Sequence, residues 1–241
     1  MEDGVKVKIY LPTEYSIDGE EWISLNAATF TPSISEGQYI SFRAQANKKY
    51  PLENPIIIDG YCDLLGNCNS LIYYNNASIS THLSTGMVFY GLFKDCGKIV
   101  SVAPNFLPSM VLENNCYSDM FSNCTSLKTA PELPATTLSN NCYFRMFSNC
   151  ISLETAPILP ATTLADNCYV QMYANCTSLK RAEMLIDALP KDFYISNSYV
   201  GRYTDGWLKK VSPTGTFVKK AGVNIPRGSE GIPEGWDVIE I

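Results

Sequence analysis

Residues 107–184 read LPSMVLENNCYSDMFSNCTSLKTAPE (107–132), LPATTLSNNCYFRMFSNCISLETAPI (133–158) and LPATTLADNCYVQMYANCTSLKRAEM (159–184), one 26-residue sentence written three times. Leucines recur at Leu107, Leu133 and Leu159, and again at Leu127, Leu153 and Leu179. Cysteines recur at Cys116, Cys142 and Cys168, then at Cys124, Cys150 and Cys176. A fixed period of this size, with apolar positions held and polar ones varied, is the signature of a solenoid. Each copy carries too little apolar surface for a core of its own and must stack on its neighbours.

Outward from this stretch the repeat extends toward the N-terminus. VFYGLFKDCGKIV (88–100) aligns with the first copy, Val88 falling in the first-cysteine slot and Cys96 in the second. GYCDLLGNCNSL (60–71) aligns with CYSDMFSNCTSL, which puts Cys68 in the slot of Cys124. Toward the C-terminus, DALPKDFYISNSYVGRY reads as a degenerate sixth turn.

Residues 1–53 read as a small β module. VKVKIYL and QYISFRA alternate with period two, and Asp18-Gly19 and Glu36-Gly37 are turn signals. Trp22, Phe30, Tyr39 and Phe42 are its expected core. Residues 54–205 are the expected solenoid. Residues 206–241, with a short helix and a strand in WLKKVSPTGTFVKKAG and a strand in GWDVIEI, are the expected β cap over its last turn.

Within one copy, Cys142 with Met146 and Tyr143 with Phe147 have helical spacing, so a short helix is expected there. SLETAPIL offers a short strand, kept short by Pro157 and Pro160. Strand, connector, short helix and return make a leucine-rich-repeat turn. The expected fold is thus an α/β solenoid, a right-handed leucine-rich-repeat coil of short strands and short helices.

The pattern resembles the BspA-like (Treponema-type) leucine-rich repeats of gut and oral bacteria. Cys124, Leu127, Ala130, Leu133, Pro134 and Leu138 fill its slots, and Phe121 fills the aromatic one. The chain departs from that pattern at Pro131 and Pro157 in the strand segment, and with Cys-Tyr-x-x-Met-Phe where the family often has Ala-Phe. The L-P-A-T-T-L form is similar to proteins of gut Bacteroidales and their phages and mobile elements. The resemblance implies surface-exposed binding or adhesion, with a protein or glycan on a cell surface as partner.

Lys plus Arg is 18 against 24 Asp plus Glu, a net charge of −6, which opposes wrapping a phosphate backbone; no nucleic-acid partner is expected. No apolar run is long enough to span a membrane. MEDGVKVKIY has no signal-peptide core, so the expectation is either a leader already removed, with cell-surface or secreted placement, or a virion-associated protein.

The nine cysteines are expected as reduced core thiols. Cys116 and Cys124 would lie about 12 Å apart along a helix, too far to bridge. C-x7-C pairs locked to the repeat period do not match zinc spacing, and the acidic residues match no calcium loop, so no metal or cofactor is expected. His82 is the only histidine, leaving one base for any thiol-dependent hydrolase, and no enzyme is expected. Asn-x-Ser/Thr occurs at Asn76, Asn123 and Asn175; the last two adjoin buried-slot cysteines and read as turn asparagines.

The variable positions of the strand segments form the candidate binding strip: Lys128, Thr129 and Glu132, then Glu154, Thr155 and Ile158, then Lys180, Arg181 and Glu183. The expected function is non-enzymatic binding or adhesion through that strip. The alternative is a phage or mobile-element structural protein of tail or fibre type, which implies a symmetric oligomer.

Overall fold

The structure is a computed structural model and describes residues 4–9, 13–25, 31, 33–35, 38–44, 56–71, 82–83, 86–190, 203–228 and 231–241. Phe30, the Glu36-Gly37 turn, residues 45–55, Asn76 and most of the expected sixth turn (191–202) lie outside these. Ten short strands are β1 (Lys6–Ile9), β2 (Thr13–Ile17), β3 (Ile23–Leu25), β4 (Ile40–Ala44), β5 (Ile56–Asp59), β6 (Cys62–Leu64), β7 (Ile99–Val102), β8 (Arg181–Met184), β9 (Gly215–Lys219) and β10 (Trp236–Glu240). They fall in four separate small sheets, ordered β1-β5, β3-β2-β4, β6-β7 and β10-β9-β8.

The expected α/β solenoid of strands and helices is not what forms. Among the described residues there is no α-helix, only two short 3-10 segments, Cys68–Leu71 and Pro104–Phe106. The segments expected as helices are runs of consecutive turns. In the first copy Asn115, Asp119 and Asn123 take φ of 56°, 55° and 63°, so every fourth residue is left-handed. The next two copies repeat this at Asn141, Arg145 and Asn149, and at Asn167, Gln171 and Asn175.

The backbone donors of these runs alternate. Ser118, Met120 and Ser122 donate three residues back, to Asn115, Tyr117 and Asp119. Between them Tyr117, Asp119, Phe121 and Asn123 donate to Cys142, Phe144, Met146 and Ser148 of the next copy, at 2.8–3.0 Å. An α-helix would send every N–H four residues back along its own chain. Here alternate donors hold one copy to the next, so the copies lie side by side through a parallel backbone ladder.

The same ladder starts at Met87, Phe89, Gly91, Phe93 and Asp95, which donate into the 114–122 run. It ends where Tyr169, Gln171, Tyr173 and Asn175 donate to the carbonyls of Tyr203, Asp205, Trp207 and Lys209. WLKK is therefore a further turn run, where a short helix was expected. The alignment of VFYGLFKDCGKIV holds, but that of GYCDLLGNCNSL does not. β6 pairs in parallel with β7, so residues 62–64 take a strand position and Cys68 lies off the Cys96–Cys124 column.

Most of the apolar positions that the repeat holds constant are buried. Both cysteine sets, both leucine sets, Met120, Met146 and Met172 are all buried. The aromatics form two stacks across the copies. Phe89, Tyr117, Tyr143 and Tyr169 follow at centroid spacings of 5.8, 5.9 and 6.0 Å. Phe93, Phe121, Phe147 and Tyr173 follow at 5.6, 5.7 and 5.6 Å, with near-parallel rings in the offset range aromatic pairs prefer. Trp207 adjoins the last ring of both stacks, and Phe217 of the C-terminal sheet meets Trp207 edge-on.

Proline explains where strands appear in the copies. Pro131 and Pro157 supply no N–H, and their segments contribute only isolated bridges. The third copy has Glu183 in that slot, and there β8 forms and pairs in parallel with β9, which pairs with β10. The last copy thus runs into the C-terminal sheet through a continuous ladder across residues 205 and 206.

At the other end, Asp18 and Gly19 take φ of 51° and 78° and turn β2 into antiparallel β3. β1 pairs antiparallel with β5, joining residues on both sides of position 53. The expected core of this part needs correction. Trp22 is 37% and Tyr39 50% exposed, Phe42 is half-buried, and among the described residues of this part Tyr15 is the buried aromatic. Tyr15 lies opposite Phe42 in the β2–β4 register, on the inward side of the pleat.

Candidate functional site

Two exposed surfaces run across the copies. The first is the expected strip. Lys128 N donates to Val100 O and Lys180 N to Glu154 O, both at 2.8 Å, while Thr129 bridges Ser101 and Thr155 bridges Arg181. The backbone ladder consumes the main chain and leaves the side chains outward. Lys128, Thr129, Glu132, Glu154, Thr155, Ile158, Lys180 and Arg181 are all exposed. Glu183 is out of register with this strip. It occupies the proline slot, is half-buried and pairs with Arg181 Nη2 at 3.3 Å. Met184, the true equivalent of Glu132 and Ile158, is buried.

The second surface is a groove of about 400 Å³ on the turn runs, and the sequence reading missed it. Its walls follow from the period-four backbone, because residues four apart in one run stand in columns shared by all runs. One wall is an amide ladder. Asn175 Nδ2 donates to Asn149 Oδ1 at 2.8 Å, Asn149 Nδ2 to Asn123 Oδ1 at 2.8 Å, and Asn123 Nδ2 to Asp95 Oδ1 at 2.5 Å. The other wall carries Asp119, Arg145 and Gln171, with Arg145 Nε donating to Gln171 Oε1 at 2.7 Å. Ser122, Ser148 and Ala174 form the floor between them. Lys94 closes one end, 3.8 Å from Asp119 Oδ1, and Lys209 and Lys210 close the other.

The signal for this groove was present in the residue types. Asn, Asp and Gly tolerate the left-handed region, and they recur every fourth position: Gly91 and Asp95, Asn115, Asp119 and Asn123, Asn141 and Asn149, Asn167 and Asn175. Asn123 and Asn175 are turn asparagines, at φ 63° with their amides in the ladder.

The thiols have no such setting. Each repeat cysteine is buried, and burial pushes Cys142 and Cys176 up to about 12 and Cys96 to about 11. Cys124, Cys150 and Cys176 donate their S–H to the carbonyls of Phe93, Phe121 and Phe147. A neutral thiol spent on a backbone carbonyl is neither a nucleophile nor a ligand. His82 is exposed and bridges Val111 through the backbone. Among the described residues no group of three or more His, Cys, Asp or Glu is placed to hold a metal, and no helix is long and apolar enough to cross a membrane.

Comparison with family models, curated proteins and solved structures finds no match to this chain.

Proposed function

We infer that this is a non-enzymatic binding protein that recognises a protein or glycan on a cell surface through the exposed side chains of its stacked repeats. One observation carries the reading. The strand-segment positions that vary between copies, Lys128/Glu154/Lys180 and Thr129/Thr155/Arg181, stand outward, while the constant cysteines, tyrosines and methionines and the leucines at 107/133/159 and 127/153/179 are buried. A scaffold that keeps its core and varies an exposed strip suits recognition. The buried thiols, with their raised pKa values, argue against a thiolate mechanism. The resemblance to BspA-like repeats points toward adhesion as well.

The test is binding of the fluorescently labelled protein to a printed glycan array and to intact bacterial and epithelial cells. The parent should bind a defined subset of glycans, or cells before but not after surface proteolysis. The triple variant Lys128→Ala, Glu154→Ala, Arg181→Ala should lose that binding while keeping its melting temperature. Indifference of binding to the triple variant would remove the strip from the function.

A further inference from the structure

We propose that the groove on the turn runs is a binding site for an extended polysaccharide carrying carboxylate or sulfate groups. This rests on the reading of the protein as a binder and adds a second surface and a ligand class to it.

In a chain of net charge −6, the groove lining holds four cations, Lys94, Arg145, Lys209 and Lys210, against one carboxylate, Asp119. Asp119 is paired with Lys94, and Asp95 beside the rim is tied to Asn123 Nδ2. With Lys94 offset by Asp119 and the Asp95 charge remaining at one rim, Arg145, Lys209 and Lys210 leave the groove net positive.

Lys94, Arg145 and Lys209 lie in the first, third and fifth turn runs, so successive cations are two ladder steps apart, roughly 10 Å at the usual inter-strand distance. Lys94 is paired with Asp119 and stands with Lys209 in the Ser122–Ser148 column, while Arg145 stands in the Asp119–Gln171 column, so the available interval is the one from Arg145 to Lys209, and it matches neighbouring anions along a polymer.

Arg145 itself is unexpected. Its backbone sits at φ 54°, a conformation the same column gives to glycine at Gly91 and Gly206. A long side chain there costs backbone energy that glycine would avoid. It is also held in place, Nε on Gln171 Oε1 and the guanidinium 4.8 Å from the centre of the Phe144 ring. Its two Nη groups keep their donors, the fork that matches carboxylate and sulfate oxygens.

The rest of the lining selects sugar over other polyanions. Asn123, Asn149 and Asn175 each spend one amide N–H on the ladder and keep the second, and Ser148, whose O–H donates to Ala174 O at 3.4 Å, keeps acceptor capacity, an array suited to sugar hydroxyl groups. A peptide cannot add as a strand here, because Asn123, Asn149 and Asn175 spend their N–H groups on the inter-copy ladder. The lining offers no aromatic ring on which a base could stack.

The experiment is titration of the intact protein with hexagalacturonic acid, its fully methyl-esterified form, a heparin hexasaccharide and a poly-glutamate peptide, at low and high salt. Binding of the uronate or the sulfated sugar is expected, weakened by salt, with the methyl ester at least about tenfold weaker. Arg145→Gln should cost about tenfold or more, since it removes a charge-assisted contact. That variant is matched to its position, because Gln171 occupies the same left-handed slot one copy on. The strip variant Lys128→Ala, Glu154→Ala, Arg181→Ala should leave this titration unchanged. Equal binding of acid and ester, no effect of Arg145→Gln, tighter binding of poly-glutamate, or no binding of either acidic sugar would each overturn the proposal. If cell or array binding through the strip persists in any of those cases, only the groove assignment falls. If that also fails, both readings fall.

Discussion

Cys150 donates its S–H to the carbonyl of Phe121, 29 residues earlier, at 3.2 Å. Cys124 does the same to Phe93 and Cys176 to Phe147, so in the three full copies the second-slot thiol fastens to the aromatic of the run before, while Cys96 donates to the carbonyl of Ile56. The cysteine does two jobs at once, filling core volume as a small hydrophobe and satisfying a carbonyl that would otherwise be buried with one bond fewer.

All nine cysteines are free thiols in this fold. Reductant should therefore leave the melting temperature unchanged. A fall comparable to the ~2–5 kcal/mol typical of losing a native disulfide would contradict the structure. Iodoacetamide should label Cys62, the one half-buried thiol, ahead of the other eight, whose labelling should be as slow as unfolding. Rapid labelling of Cys142 or Cys150 in native protein would be the contrary result.

The same burial sets a pH dependence. Burial raises Cys142 and Cys176 from the ordinary 9.0 to about 12. Below about pH 9 both folded and unfolded chains hold these protons, and the contribution to stability is fully present. Between about pH 9 and about pH 12 the unfolded chain releases them while the folded chain keeps them, so stability falls as pH rises. Burial drives Cys116, Cys150, Cys168 and the stacked tyrosines in the same direction, steepening the fall. Urea midpoints from about pH 8 to about pH 11 should decline steadily; a midpoint flat to pH 11 would mean the thiols are solvated.

Leu153 lies in the central copy with a complete copy on either side, and its side chain is fully buried. Leu153→Ala should cost about 2–5 kcal/mol, partly lost transfer energy and partly residual cavity. Lys128 follows the equivalent leucine of the preceding copy by one residue and points to solvent, so Lys128→Ala should stay within about 0.5 kcal/mol. Urea melts of both variants beside the parent make the comparison. Greater damage from Lys128→Ala would put the inward and outward columns out of register.

Those inward columns were legible in the sequence, because the repeat keeps its buried positions apolar from copy to copy. Leu127, Leu153 and Leu179 are the plainest case, and the outward strip followed by elimination. The conformation of the Cys-Tyr-x-x-Met-Phe segment was not legible from spacing. Cys142 and Met146 are four apart, which serves a helix of 3.6 residues per turn and a turn run of period four equally well. Asn115, Asp119 and Asn123 distinguish the two, since a helix interior disfavours them and a left-handed position accepts them. Reading the segment as helix also hid the groove, whose walls exist only because alternate backbone donors leave each run for the next. Glu183 was misplaced for a different reason: without the proline that marks its slot in the other copies, its register had to be counted from the period.

Tyr173 stands where the two preceding copies have Phe121 and Phe147, its ring 5.6 Å from Phe147 in the stack. Its hydroxyl is buried, and among the described residues nothing donates to it or accepts from it. An unpaired buried hydroxyl costs about 1–3 kcal/mol, since it leaves water without regaining a partner. Tyr173→Phe deletes only that oxygen and keeps the ring and its stacking. The variant should gain up to about 2 kcal/mol, seen as a higher urea midpoint with an unchanged slope. Phe147→Tyr, which adds a hydroxyl to the same column one copy earlier, should move the midpoint the other way. A loss of stability in Tyr173→Phe would show that the hydroxyl has a partner, and the end of this stack would then enclose a bridging water.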